Sequence, residues 1–325
     1  MMIILLSVIS LIIAYLLDLL LGDPVFLPHP VVLIGKLISY LEALVRAVFP
    51  KTPKGERFAG LLLWAIVCVV SYTVPAILIA LCARVSYWLY LAVDSVLCWQ
   101  CLAMKSLKTE SMKVMSALKG GDTEEARKAV SMIVGRDTSA LDEAGIARAA
   151  VETVAENTSD GVVAPMLFAA FGGAPLAMLY KAVNTMDSML GYTDEPYTNI
   201  GFVPAKADDI FNFFPARVTA CLMILAGAAL RLDVRNGIYI FQRDRKKSAS
   251  PNSGLPESVC AGLLGLRLLG DAVYHGVLHK KEYIGDALRE IEAEDIARAN
   301  RIMYVTAFLS LILSIVLRLW FNHVI

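Results

Sequence analysis

The sequence predicts an all-α, polytopic integral membrane protein, with roughly four to six membrane helices, cytoplasmic helical segments, and re-entrant or broken elements. Two observations predict this class. Of the 325 residues, 57% are hydrophobic and only 18% are charged, with a mean hydropathy of +0.62, whereas about a quarter of the residues in soluble domains are charged. Several apolar runs also reach the length of about 20 residues that a helix needs to cross a bilayer.

Four apolar runs are the main candidates for membrane helices: residues 1–21, 58–83, 85–104 and 302–321. The first run lacks the basic start and short apolar core of a secretory signal, so we expect it to be retained. Pro75 predicts a kink in the second run, and Asp94 makes the third run weaker. Two further candidates are residues 162–180, interrupted by Gly172-Gly173-Ala174-Pro175, and residues 213–230.

The distribution of Lys and Arg predicts the orientation in the membrane. Residues 22–57 hold five of them, residues 105–161 hold eight and residues 231–301 hold twelve, while Arg84 stands alone between the second and third runs. The positive-inside rule therefore predicts that the three basic segments are cytoplasmic and that Arg84 is outside. Residues 162–180 and 213–230 must then either both cross the membrane or both not cross it, which leaves open the side on which residues 181–212 lie.

We expect one membrane-embedded catalytic domain over residues 1–325, in the cytoplasmic (inner) cell membrane, with its active site facing the cytoplasm.

An acidic stripe is the strongest candidate for a functional element. Read as a helix, Val151–Pro165 places Glu152, Glu156 and Asp160 on one face with Asn157 beside them. Like charges one turn apart repel, so a cation is expected against the stripe: Arg148, a bound metal, or both. A solvated helix face neutralised by Arg148 is the alternative.

Further polar residues recur in segments where a membrane protein rarely carries them. Lys181, Asn184 and Asp187 share roughly one helical face, as do Asp208 and Asn212, with Asp209 adjacent. Paired carboxylates with an amide oxygen suit Mg²⁺. Each group has a plainer interpretation as interhelical hydrogen bonds or a helix start. The remaining candidates are Asp23 and His29 in a proline-rich turn, Arg136 in a polar loop, and Arg217 as a phosphate or carboxylate clamp.

Four segments together resemble the CobD/CbiB family of cobalamin biosynthesis. They are DLLLGDPVFLPHPVVLIG from Asp18, the long block GRDTSALDEAGIARAAVETVAENTSDGVVAPMLFAAFGGAPLAMLYKAVNTMDSMLGY from Gly135, ADDIFNFFPAR from Ala207, and SPNSGLPE from Ser250. The central block is long and peculiar to that family. One departure is Lys206, where the family pattern has arginine, and lysine keeps the charge but loses the bidentate fork.

The resemblance implies an adenosylcobinamide-phosphate synthase. Such an enzyme joins the propionate of adenosylcobyric acid to the amine of (R)-1-amino-2-propanol phosphate, with ATP and Mg²⁺ as cofactors. A corrinoid, an amino-alcohol phosphate and membrane lipid are therefore the expected partners; a homo-oligomer is compatible with the sequence, and no nucleic acid is expected. No Walker A, GxGxxG, GxSxG or HExxH motif occurs.

Roles for single residues are hypotheses from side-chain chemistry. Asp208, Asp209 and Glu156 are the metal candidates, and Arg217 and Lys181 the phosphate candidates. Glu152 or Asp160 is expected to accept a proton from the attacking ammonium. Asp187, Asn157, Asn184 and Asn212 are expected to orient the substrates. A transporter that uses intramembrane carboxylates is the alternative function, although few clear spans and no inverted repeat are found.

Overall fold

The structure is a computed structural model that describes residues 2–24, 26–192, 194–274 and 277–324. Helices dominate these residues, as predicted, and the only strands among them are two short antiparallel pairs. The elements in chain order are α1 (Met2–Leu21), α2 (Pro30–Val48), α3 (Pro53–Val85), α4 (Tyr87–Trp99), α5 (Met104–Lys119), α6 (Thr123–Ser131), α7 (Glu143–Thr158), a π-helical turn (Ser159–Val163), α8 (Ala164–Leu190), α9 (Phe202–Phe211), α10 (Phe213–Ala229), α11 (Val234–Asp244), α12 (Gly254–Leu264), β1 (Leu268–Leu269), β2 (Ala272–Tyr274), β3 (Val277–His279), β4 (Tyr283–Ile284) and α13 (Glu294–Val324).

The chain forms two compact units, each assembled from separated stretches. The first unit comprises Met1–Ala103, Ala164–Asn212 and Leu311–Ile325, and the second comprises Met104–Val163 and Phe213–Ser310. The core of the first unit lies among α2, α3, α8 and α9, around the fully buried Ile38, Leu63 and Met186. The expectation of one catalytic domain stays a prediction.

Four helical stretches are long and apolar enough to cross a membrane, or five if the pair α9 and α10 forms one broken span. The four are Pro53–Val85, Tyr87–Lys119, Glu143–Leu190 and Glu294–Trp320. These findings agree with the predicted polytopic membrane protein. Only 17% of the most apolar stretch of α3 is buried inside the protein, against 72% for Glu143–Leu190. The side chains of α3 therefore face mainly lipid, whereas the second stretch lies mainly within the protein.

Several predicted boundaries differ from the structure. The run 85–104 is divided, because α4 ends at Trp99 and α5 begins at Met104. Helix α3 continues through Pro75. Helix α1, Met2–Leu21, agrees with the predicted run 1–21, and its apolar residues Leu5–Leu21 form one of the shorter apolar helices. Helix α13 begins at Glu294, before the predicted run 302–321, and it follows β4 and a loop.

The break predicted in residues 162–180 lies within α8. Gly172 and Gly173 leave the helical conformation, and Gly173 has a φ of 64°, which glycine adopts readily. Both sides of the break find partners in the first unit. The Ala174 N–H donates to Asp94 Oδ1 at 3.0 Å, and Arg318 Nη1 donates to the Ala170 carbonyl at 3.1 Å. Asp94 thus caps the helix that resumes after the break, which accounts for a carboxylate inside an apolar helix.

Candidate functional site

A polar cavity of about 330 Å³ lies in the second unit. We call it the carboxylate pocket, because three glutamates line it. Helix α7 supplies Glu152 and Glu156, and the first turn of α12 supplies Glu257. The other polar residues of its wall are Arg136, Thr153, Asn157, Ser248, Ser250, Ser253 and Lys281. The sequence-predicted Arg136, Glu152, Glu156 and Asn157 therefore do meet at one cavity.

Glu152 is fully engaged by the protein itself. Its Oε2 accepts a 2.5 Å hydrogen bond from Arg136 Nη2, and its Oε1 accepts one of 2.6 Å from the backbone N–H of Leu269. Both side chains of the ion pair are largely buried. Arg136 is thus the cation that pairs with the acidic stripe. The expected partner Arg148 does not fill this role, because its Nε is buried without a hydrogen-bond partner among the described residues.

The acidic stripe is not one continuous α-helical face. Helix α7 ends at Thr158, and the π-helical turn Ser159–Val163 follows. A π turn contains more residues than an α turn, so it shifts the side chains that follow out of the α-helical register. Asp160 lies in this turn and does not line the carboxylate pocket. Asp160 therefore does not meet Glu152 and Glu156 at the carboxylate pocket.

Glu257 is a buried carboxylate of this pocket with one unsatisfied oxygen. Its side chain is 4% exposed, and its Oε2 has no hydrogen-bond partner in the described part of the chain. Burial raises the pKa of Glu257 well above its usual range, and the charges of Glu156 and Glu152 raise it further, against the opposing effects of Lys281 and Arg136.

A second cavity, of about 490 Å³, shares a wall with the first. The wall is Ser248–Ala249–Ser250, which lines both cavities. Its cations are Arg217, Arg245 and Lys246, and no carboxylate within the described residues forms an ion pair with any of them. We call it the cationic pocket. Three uncompensated cations around one cavity are suited to a phosphate.

The loop between α11 and α12 builds the shared wall. Ser250 Oγ accepts hydrogen bonds from the backbone N–H groups of Asn252 and Ser253, and the hydroxyls of Ser248 and Ser253 lie 2.8 Å apart. Gly254 permits the close return of the chain, since a Cβ there would lie 2.7 Å from the Arg245 carbonyl oxygen. The loop is thus held in place by its own hydrogen bonds.

Arg217 belongs to the cationic pocket, as its predicted phosphate role requires. Its Nη1 donates to the Phe213 carbonyl at 2.5 Å and to Asn252 Oδ1 at 3.4 Å. The guanidinium lies 3.5 Å from the centre of the Phe213 ring. These contacts hold the guanidinium in position and leave its other N–H groups available for an anion.

The remaining candidates lie in the first unit, where Asp208 is the centre of a buried network. Asp208 accepts hydrogen bonds from Asn184 at 3.4 Å and from Asn212 at 3.0 Å, and the Tyr180 hydroxyl donates to Asn212 at 2.8 Å. The predicted shared face of Asp208 and Asn212 is confirmed. Asp209 forms a separate ion pair of 2.7 Å with Lys206, one turn before it.

The other predicted residues of the first unit have mainly local contacts. Lys181 is half-buried on α8, and no carboxylate in the described ranges pairs with it. Asp187 lies against Gly191, whose added Cβ would come within 2.0 Å of Asp187 Oδ1. His29 caps α2 through its Nδ1, and its Nε2 lies 3.3 Å from Asp23 Oδ1. These two residues hold the turn before α2; their binding role stays a prediction.

The predicted metal set is not gathered as one group. Asp208 and Asp209 belong to the first unit and Glu156 to the second, and within the described residues no three His, Cys, Asp or Glu side chains are placed to hold a metal ion. Mg²⁺ commonly needs only one or two protein carboxylates together with substrate phosphates. Asp208, which has amide partners and no cationic one among the described residues, fits that pattern better than Asp209, which pairs with Lys206.

The sequence prediction missed Glu257, Lys281, Arg245 and Lys246. Glu257 carried a usable signal, because it is the one charged residue in the otherwise apolar sequence of α12. Arg245 and Lys246 belong to the basic run Arg243–Lys247, which the sequence analysis counted only toward the positive-inside rule. In the structure these two side chains line the cationic pocket, while Arg243 and Lys247 form ion pairs with Asp244.

Comparison with known proteins gives a consistent assignment. The profile of the family described as CobD/Cbib protein matches residues 11–303. The chain is 46% identical over 310 residues to the cobalamin biosynthesis protein CobD of Clostridium perfringens, covering 95% of this chain and 98% of that protein. It is 47% identical over 306 residues to the CobD protein of Geobacter metallireducens, with 94% of each chain covered. The identity to the CobD protein of Klebsiella pneumoniae is 44% over 308 residues, which cover 95% of this chain and 96% of that protein. No solved structure matches the chain significantly.

Proposed function

The chain belongs to the CobD/CbiB family, and from this premise we propose that it is a membrane-embedded, ATP-dependent amide ligase of cobalamin biosynthesis. Its substrates are adenosylcobyric acid and (R)-1-amino-2-propanol phosphate, and its product is adenosylcobinamide phosphate. The observation that carries the proposal is the pair of adjoining pockets in the second unit, one lined by carboxylates and one by unpaired cations. An amino-alcohol phosphate carries both charges, a cationic amine and an anionic phosphate, a few bonds apart.

The cationic pocket is the proposed phosphate site. Arg217 is held in place by Phe213 and Asn252, and Arg245 and Lys246 add two further cations. Hydrogen bonds from guanidinium groups to phosphate are charge-assisted and often bidentate, so they fix the orientation of the phosphate as well as its position. The Ser248–Ser250 wall holds these cations beside the carboxylate pocket.

The carboxylate pocket is the proposed site of the reacting amine. An ammonium must lose a proton before its nitrogen can attack a carbonyl carbon, so an acceptor is needed there. Glu152 was a sequence-predicted acceptor, but both of its oxygens are engaged by Arg136 and Leu269. We therefore assign Glu152 to positioning and leave proton transfer to Glu156 and its neighbours.

Magnesium and ATP, when bound, would neutralise phosphate charge and convert the corrinoid propionate into an acyl phosphate that an amine can attack. The Asp208–Asp209 pair is the proposed Mg²⁺ holder, and Lys181 a further phosphate contact. Asn184 and Asn212 hold Asp208 in position by hydrogen bonds. We propose that the substrate pockets face the cytoplasm, where the chain carries its basic segments.

The purified protein in lipid nanodiscs, supplied with adenosylcobyric acid, aminopropanol phosphate and Mg-ATP, should form the amide, read by mass. Arg245→Gln should raise the KM for aminopropanol phosphate about 10-fold or more, because a charge-assisted contact to the phosphate is lost. Arg235→Gln, which removes an exposed arginine of α11 that does not line either pocket, is the matched control. Absence of amide from the wild type, together with corrinoid counterflow in liposomes, would reject the ligase in favour of transport.

A further inference from the structure

The carboxylate pocket contains a buried acid with an unused acceptor. Glu257 Oε2 has no hydrogen-bond partner among the described residues although its side chain is 4% exposed. A buried carboxyl oxygen without a partner is costly, and native structures rarely keep one unless a ligand, an ion or water completes it. Glu257 also lines a cavity, so a ligand has access to it.

We propose that Glu257 is the residue that binds the ammonium of the amine substrate, with Glu156 beside it as the second acceptor. This inference rests on the proposed function. Glu152 is excluded because its oxygens are already bonded to Arg136 and to the backbone of Leu269. The stripe residue Asp160 is excluded because it does not line the pocket.

A primary ammonium suits this pocket better than a divalent metal ion. Mg²⁺ demands near-ideal octahedral geometry, whereas an ammonium has three N–H donors without a strict coordination geometry. The phosphate of the same molecule would lie in the cationic pocket, across the Ser248–Ser250 wall. The site thus selects a small compound that carries both a primary amine and a phosphate.

The charge of the pocket supports the same assignment. Glu156, Glu152, Arg136 and Lys281 face Glu257; burial and the two glutamates raise the pKa of its carboxyl well above the usual range, while Lys281 and Arg136 oppose this rise. An arriving ammonium favours the ionised carboxylate, so a proton held by Glu257 in the empty site is released to solvent on binding. After binding, Glu257 accepts one ammonium proton, and the amine lone pair forms the C–N bond to the acyl phosphate. The C–O bond to phosphate breaks, the phosphate leaves with its electron pair, and the nitrogen loses a second proton to solvent.

Binding of two probes tests the proposal without turnover. Calorimetry on the nanodisc-embedded protein compares aminopropanol phosphate with 1,2-propanediol phosphate, which has a hydroxyl in place of the amine. The wild type should bind the amine probe about 10- to 100-fold more tightly, which is the range for a charge-assisted hydrogen bond. In Glu257→Gln this ratio should fall to near one, while the affinity for the diol phosphate stays unchanged.

Glu282→Gln is the matched control, because Glu282 is exposed in the same unit and does not line the pocket. Should Glu257→Gln fail to fold, Glu257→Asp keeps the carboxyl one methylene further back and should give an intermediate ratio.

A wild type that binds both probes equally, or binds neither, would overturn the proposal, as would an unchanged ratio in the Glu257 variants. Amine preference that vanishes without Mg²⁺ would assign the carboxyl to a metal instead and also overturn it. Amide formation by Glu257→Gln with an unchanged ratio would reject this inference while the ligase function stands.

Discussion

The two glutamates Glu152 and Glu257 differ in role because they differ in partners. Both are buried and both line the same pocket. Glu152 has its charge matched by Arg136 and its second oxygen matched by a backbone N–H. Glu257 has neither kind of partner for its Oε2 among the described residues. A buried carboxylate that the protein fully satisfies stabilises structure, whereas one left unsatisfied is available to a ligand.

The Arg136–Glu152 pair should therefore contribute to stability more than to chemistry. Arg136→Met leaves a buried carboxylate without its cation, and we expect it to lower the free energy of unfolding by about 2–4 kcal/mol. The double variant Arg136→Met with Glu152→Gln should recover more than half of that loss, since Gln keeps an acceptor for the Leu269 N–H. Thermal unfolding in detergent measures the stability of the single and the double variant. A single variant as stable as the wild type would show that solvent screens the pair.

At the scale of elements, the broken helix α8 shows what a local pattern predicts and what it leaves out. The Gly172-Gly173-Ala174-Pro175 sequence predicts the break correctly, because glycine and proline disfavour a continuous helix. The groups that satisfy the broken ends are far away in the chain, on α4 and α13. In the sequence, Asp94 therefore only weakened the prediction of a membrane helix over residues 85–104, although in the structure it caps another helix.

Two substitutions of Asp94 should distinguish the contribution of its hydrogen bonds to stability from the contribution of its charge. Asp94 Oδ1 accepts from the Ala174 N–H and Oδ2 accepts from the Ser10 hydroxyl. Asp94→Leu leaves a buried N–H unsatisfied, so we expect a loss of about 2–3 kcal/mol in unfolding free energy. Asp94→Asn keeps the oxygen that receives the Ala174 N–H and should lose less than about 1 kcal/mol. Ser10→Ala, which removes only the hydroxyl, is the control in the same unfolding measurement. Equal losses of unfolding free energy in Asp94→Leu and Asp94→Asn would contradict the assignment of Asp94 as a helix cap.

At the scale of the whole molecule, hydropathy and charge predicted the membrane class, and the acidic stripe predicted part of a pocket. Both signals are local in sequence, so a single chain reveals them. The pockets also depend on residues that are distant in the chain: Arg136, Glu257 and Lys281 meet only after folding. The residue pattern likewise gave no sign of the π-helical turn that contains Asp160.

The remaining whole-molecule prediction concerns the side of the membrane on which the pockets open. A ligase that uses ATP needs them on the cytoplasmic face, which agrees with the basic segments of the chain. Ala249 is exposed and lines both pockets, so Ala249→Cys should react with a membrane-impermeant maleimide in inside-out vesicles only. Arg84→Cys, predicted on the opposite side, should react in right-side-out vesicles only. The background needs only Cys221→Ala, because the other five cysteines are buried. Labelling of Ala249→Cys from the outside would be incompatible with a cytoplasmic site, because ATP would then be on the wrong side of the bilayer.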